Sequence, residues 1–216
     1  MPRTAVLDID GTLVDTNYHH AIGWFRAFKA NDVRVPIWRI HRHIGVAGDL
    51  FVKAVAGDEV DASKGEAIRE AESKFYADLI DDVVLFEGAR QLIFSLKEAG
   101  CSVVLASSAK EEELNHYLEL LDAKDHLDGW TNADDVDQAK PAPDVILVAL
   151  EKAGGGEGVM IGDSTWDCEA AKRAGVASIG VLTGGFSEDE LRKAGAAQVF
   201  ESVKELESRL SETILG

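Results

Sequence analysis

Four short apolar runs, each stopping in a polar turn, narrow most sharply what this chain can fold into. Residues 5–9 (AVLDI) end in Asp10-Gly11-Thr12, and residues 101–106 (CSVVLA) end in Ser107-Ser108. Residues 158–161 (GVMI) end in Gly162-Asp163-Ser164, and residues 176–182 (VASIGVL) end in Thr183-Gly184-Gly185. Runs of this length, apolar nearly throughout instead of alternating, predict strands buried on both faces. Helical spacing between them predicts helices over 89–99, 110–121, 143–153 and 166–174. Strands alternating with helices predict an α/β fold, a parallel sheet with helices on both faces.

Residues 17–83 break that rhythm. They carry helical periodicity (Ala21, Trp24, Phe25 and Phe28; then Leu50 to Val55; then Ala67, Phe75 and Leu79) but no convincing strand. The expectation is an all-helical insertion at 17–83, joined near Thr16 and near Val84–Glu87, with the core formed by 1–16 and 84–216. Trp24, Phe25 and Phe28 read as packing within it. Gly154-Gly155-Gly156 lies between a helix and a strand, where a helix end and a turn explain it. No Walker-type loop and no GxGxxG opening is present.

Charge excludes several function classes. Lys and Arg number 22 against 39 Asp and Glu, a formal net charge of -17 over 216 residues, so the surface repels nucleic acid and anionic membranes. An acidic protein acting on an anionic substrate has to build a local positive site. The two cysteines, Cys101 and Cys168, have no CxxC spacing and read as free thiols of a reducing compartment. The opening Met-Pro-Arg-Thr runs into an apolar stretch too short for a secretory signal, and no run approaches membrane-span length. A cytoplasmic location is expected.

Parallel sheets bind ligands beyond the carboxyl ends of their strands. This chain brings Asp8 and Asp10, Ser107, Asp163 and Asp167 there, with Lys140 on a loop. Carboxylates converging without enough cations repel one another. A hard cation with oxygen ligands relieves that, and Mg2+ is the natural candidate. Lysine and hydroxyl donors beside such an ion suit a phosphate.

The ordered set resembles the haloacid dehalogenase superfamily. Asp8-Ile-Asp-Gly-Thr-Leu-Val-Asp15 is similar to its DxDGT signature, Ser107 to its second motif, Lys140-Pro-Ala-Pro-Asp144 to its third and Gly162-Asp-Ser-Thr-Trp-Asp167 to its fourth. The acidic turn Ala133-Asp-Asp-Val136 also resembles many members. The resemblance implies a Rossmann-like core with a helical cap, and a phosphatase acting on a small phosphorylated metabolite. It implies Asp8 as nucleophile, Asp10 as acid and base whose carbonyl binds the metal, and Asp8 and Asp163 as metal ligands. Asp167 would ligate the metal or position a metal-bound water. Ser107, the Ser108 amide and the Gly11 region would donate to phosphoryl oxygens, and Lys140 would offset charge. Cap movement about the two joins would exclude water during transfer.

Each residue also has a plainer explanation. Asp10-Gly11-Thr12 is a common turn, Ser107 suits a helix cap, and Lys140 suits a solvated loop. Asp163 and Asp167 suit an N-cap and a first-turn acid. In the insertion, His19 and His20 follow the first motif at a spacing where relatives often carry a histidine, His20 being the favoured one, and Arg42 and His43 belong to the one concentrated basic stretch, before the loop Ile44-Gly-Val-Ala-Gly-Asp49. They would bind a substrate carboxylate or a second phosphate, or face solvent and core. Phosphoglycolate, sugar phosphates and nucleoside monophosphates all suit such a site. The rival functions are a phosphomutase similar to beta-phosphoglucomutase and an idle binding protein on the same fold. Gly48 stands where such mutases carry an arginine, and Asp167 is an aspartate they lack. A phosphonate-cleaving relative would need a cap lysine, for which Lys53 is the candidate.

Overall fold

The computed structural model describes residues 3–46, 48–135, 138 and 140–216. Met1 and Pro2, Ala47 of the loop before Asp49, and Val136 of the acidic turn lie outside the described residues. Six parallel strands form one sheet in the order β3-β2-β1-β4-β5-β6. They are β1 (Arg3–Leu7), β2 (Ser102–Ala106), β3 (Gly129–Thr131), β4 (Glu157–Gly162), β5 (Ala177–Val181) and β6 (Gln198–Phe200). The four longer strands are those the apolar runs predict. β3 and β6 escape a pattern reading because three residues carry no period; they exist because each pairs with a stronger neighbour, β2 and β5 respectively.

Two compact units divide the chain: Met1–Val14 with Leu85–Gly216, and Asp15–Val84. The first holds the sheet with α5 (Ala89–Glu98), α6 (Glu111–Leu121), α7 (Asp144–Lys152), α8 (Thr165–Ala174), α9 (Glu188–Ala194) and α10 (Val203–Ser208). On one face Val6, Val104, Ala106 and Met160 pack against Val145, Ile146 and Ala149 of α7 and Ala170 and Ala171 of α8. The alternate strand residues Ala5, Leu7, Val103 and Leu105 are equally buried and point to the opposite face, where α5 lies against β2. Gly154, Gly155 and Gly156 all have positive φ, and the Gly154 and Gly155 amides close α7 by donating to the Glu151 and Leu150 carbonyls, the helix-ending turn expected.

The second unit holds α1 (Asn17–Ala30), α2 (Ile37–His41), α3 (Gly48–Ala56) and α4 (Asp58–Ala77). Its core gathers Ala21, Trp24, Phe28, Ile40, Phe51, Val55 and Ile68, with the Trp24 and Phe51 rings stacked 4.2 Å apart. Burying a Phe side chain fully contributes about 1.5–3 kcal/mol, so Phe28 and Phe51 anchor this small unit. Two details of the sequence reading are corrected. Phe25 is exposed, because it falls one position past the buried Ala21–Trp24–Phe28 stripe. In α4 the buried stripe is Gly65, Ile68, Glu72 and Tyr76, whereas Ala67 is exposed. The polar Glu72 disguises that phase.

Candidate active site

Register brings the site together. Leu7 of β1 aligns with Leu105 of β2 and with Ile161 of β4, which aligns with Ile179 of β5. One row across four strands therefore ends level, and the residues just beyond it emerge on one edge: Asp8, Ser107 and Asp163. The ladder extends one step past β1, since the Asp8 amide donates to the Ile161 carbonyl at 2.9 Å. That bond fixes the Asp8 backbone before its side chain meets anything.

Asp8, Lys140, Asp163 and Asp167 are all at most 4% exposed, and they converge. Lys140 Nζ donates to Asp8 Oδ1 at 2.6 Å and to Asp167 Oδ1 at 2.8 Å. Asp8, Asp163 and Asp167 each offer a carboxylate oxygen within 4.8 Å of the others, the one such group among the described residues. Lys140 is thus a buried paired cation and not a solvated loop lysine. Burial alone would lower its pKa, but Asp167 and Asp8 outweigh that and hold it above the ordinary lysine range. Removing one member of a buried ion pair costs about 3–5 kcal/mol, so this lysine is tied into the fold as well as the site.

The cluster is short of positive charge. Three carboxylates against one ammonium leave two negative charges in a buried volume. The consequence is visible at Asp8: burial raises its pKa most, Lys140 opposes, and Asp167, Asp163 and Asp10 push it further, so the carboxyl stands well above its usual range. A buried all-oxygen donor set with this charge deficit fits a hard divalent cation. Asp167 Oδ2 already accepts from Ser164 Oγ and the Ser164 amide, and its Oδ1 from Lys140. Asp8 Oδ1 also accepts from Lys140, and Asp163 Oδ1 accepts from Thr12.

Local structure explains why each group stays in place. Ser164 caps α8, its hydroxyl accepting from the Asp167 amide while Asp167 returns the bond, so the N-cap is Ser164 and Asp163 stands one residue earlier. Ser107 Oγ accepts from the Ala109 amide at 3.0 Å, which leaves its own proton to donate, and α6 is capped at Lys110 and not by Ser107. Gly11 has φ +80, and its amide donates to the Val14 carbonyl at 2.9 Å, so here it serves the turn instead of pointing at a phosphoryl oxygen. Asp10, half-buried, bridges Val14 through its main chain.

Several residues join the site that the sequence reading passed over. Thr12 Oγ1 donates to Asp163 Oδ1 at 2.8 Å and lies 3.3 Å from Asp8 Oδ2, linking the loops after β1 and β4. The fully buried Thr131 accepts from the Ser107 amide and donates to the Ser107 carbonyl. Thr183 Oγ1 donates to the Gly11 carbonyl at 2.6 Å. Thr12 and Thr183 lie in strand-end turns already marked as binding positions, a signal that was available; Thr131 is the last residue of β3, a strand too short to read.

The candidates of the second unit have local partners. The His20 ring stacks on Tyr76 at 3.7 Å with Nδ1 3.4 Å from Glu72 Oε1. His43 Nδ1 lies 2.8 Å from the Arg39 carbonyl, at the end of α2 whose C-cap is Arg42. Lys53 is exposed and paired with Asp58 at 2.7 Å; that hydrogen bond raises its pKa, the opposite of what a Schiff-base lysine needs.

Comparison with known proteins agrees with this geometry. The family described as haloacid dehalogenase-like hydrolase matches residues 2–175. A crystal structure of a hydrolase from Pseudomonas syringae superposes with a TM-score of 0.91 at 30% identity, covering 97% of this chain and 98% of that one. The phosphoglycolate phosphatase of Rhodospirillum rubrum is 28% identical over 95% of this chain and 90% of its own length. The validoxylamine A 7'-phosphate phosphatase of Streptomyces hygroscopicus is 27% identical over 85% of this chain and 87% of its own.

Proposed function

Because the chain belongs to the haloacid dehalogenase-like hydrolases, we propose that it is a Mg2+-dependent phosphatase that hydrolyses a small phosphomonoester through a phosphorylated Asp8. The observation that carries this reading is Lys140 held between Asp8 and Asp167 in a buried carboxylate cluster two positive charges short.

Asp8 and Asp163 would hold the ion, with Asp167 and the Asp10 carbonyl beside it, and when bound it supplies the positive charge that lets Asp8 stay ionised next to an anionic phosphoryl group. Asp8 attacks phosphorus in line, and the bond to the leaving alkoxide breaks. Asp10, half-buried where Asp8 is buried, protonates that alkoxide. It then takes a proton from the water that attacks the same phosphorus, releasing inorganic phosphate and restoring the Asp8 carboxylate. Lys140 touches Asp8 directly and offsets its charge as the phosphoryl group arrives. Ser107, whose hydroxyl proton is left to donate, and the Ser108 amide hold the equatorial oxygens. His20, Arg42 and His43 are kept as residues that choose the substrate. Their alanine variants should reorder substrate preference and leave Mg2+ affinity unchanged.

A phosphomonoester panel with Mg2+ and with EDTA tests the function. Phosphoglycolate heads it, because phosphoglycolate phosphatases are among the relatives. The expected result is Mg2+-dependent phosphate release from at least one member. Including glucose 1-phosphate with its bisphosphate tests the mutase alternative, and isomerisation outpacing phosphate release would replace this reading with that one.

A further inference from the structure

The turn Leu182–Gly184 after β5 belongs to none of the four motifs, yet it touches the site from a third direction. Gly184 has no positive φ, so its backbone does not require glycine; Gly185, with φ +78, does. What Gly184 cannot accept is volume. A Cβ there would lie 1.8 Å from Asp163 Oδ2 and 2.6 Å from its Cγ. Asp163 has little freedom to retreat, since it is 1% exposed and its Oδ1 is held by Thr12 at 2.8 Å. The bare backbone at 184 therefore forms the seat of the Asp163 carboxylate. One residue earlier, Thr183 Oγ1 reaches the Gly11 carbonyl, 172 positions away in sequence, at 2.6 Å. Gly11 sits between Asp10 and Thr12, so this bond orients the peptide that links the acid–base residue to the threonine bridging Asp8 and Asp163.

We propose that the β5 turn is a positioning device for the cation and phosphoryl site: Gly184 sets the orientation of the Asp163 carboxylate, and Thr183 sets the Asp10–Thr12 turn through the Gly11 carbonyl. This rests on the reading of Asp163 as a metal ligand. Neither residue touches substrate; each acts through another. A glycine kept only for packing would lose stability on substitution without a specific effect on the ion, and a threonine kept only for packing would be replaced by valine without kinetic effect.

The test uses the full chain as wild type, Gly184→Ala, Thr183→Val and Thr183→Ser. Mg2+ binding is measured by titration calorimetry, unfolding by circular dichroism in EDTA, and phosphate release on the best substrate of the panel. Gly184→Ala should weaken Mg2+ binding at least tenfold while staying folded in EDTA. Thr183→Val should lower kcat at least tenfold with KM within about threefold, the mark of an interaction that matters in the transition state more than in binding. Thr183→Ser, which keeps the donor, should recover most of that loss. Gly184→Ala binding Mg2+ like wild type, or Thr183→Val turning over like wild type, overturns the proposal alone. If Gly184→Ala does not fold, the two Thr183 variants decide it. Wild type without Mg2+ binding would remove the metal-site reading and this proposal with it.

Discussion

Asp8 shows how one side chain depends on its surroundings. A carboxylate is a weak nucleophile, and here burial and three neighbouring acids favour its protonated form, with Lys140 the one opposing charge. Asp8→Asn keeps the shape and can still accept from Lys140, so the variant should fold with an unchanged circular dichroism spectrum. Phosphate release should fall below detection, and retained turnover would refute the nucleophile assignment. Asp128, away from the site, illustrates ordinary electrostatics. Burial pushes its pKa up, but the Lys97 ammonium at 2.7 Å and the Val103 amide at 2.7 Å outweigh this and hold it below the usual carboxylate range. A lowered folded-state pKa means stability that is present above the unfolded value and lost as pH falls through the folded one. Because the pair is about one-third exposed, Asp128→Asn should cost only about 1 kcal/mol near pH 7. That gap between variant and wild type should narrow in urea melts once pH falls below about 4.

At the scale of elements, the strand ends and helix starts carry the chemistry. α8 starts with a Ser164–Asp167 capping box whose acid also holds Lys140, so one turn of helix serves both termination and site. α10 gives the contrasting case, a cap with no link to the site: Ser202 accepts from the Glu205 amide. Ser202→Ala should lower the melting temperature by about 2–4 °C, corresponding to roughly 1 kcal/mol, and leave phosphate release unchanged. A tenfold loss of activity would show that the cap matters to the site. The apolar runs made the four long strands legible because uninterrupted Val, Ile and Leu suit a sheet covered on both faces. β3 and β6 were not legible, since Gly129–Thr131 and Gln198–Phe200 become strands only by pairing with β2 and β5. The phase of α4 was misread for a different reason: Glu72 is buried where an apolar residue is expected.

For the whole molecule, the formal charge of -17 and the buried acid cluster point the same way. A protein this acidic attracts divalent cations in general, so site binding has to be separated from surface binding. Mg2+ at 100 times its dissociation constant should stabilise the folded state by about 2.7 kcal/mol, raising the melting temperature by roughly 5–10 °C. Asp163→Asn should abolish that rise. It should also melt higher than wild type in EDTA, because it removes one of three crowded carboxylates. A variant melting lower in EDTA would show that hydrogen bonding to Asp163, not repulsion, governs this cluster. Among the described residues no helix is long and apolar enough to cross a membrane.

Sequence alone determined the class of fold and the positions of its four long strands, and it singled out Asp8, Lys140, Asp163 and Asp167, which converge in the structure. Local patterns suffice for these, because strand-end residues in a parallel sheet share one edge whatever the loops do. Only tertiary structure decided how the set is wired. That Asp167 is taken up by Lys140 and Ser164, that Gly11 faces Val14, and that Thr12, Thr131, Thr183 and Gly184 belong to the site all follow from distances between residues far apart in the chain. Hydrogen bonds and close contacts of that range are set by strand register and packing, and a one-dimensional pattern does not encode them position by position.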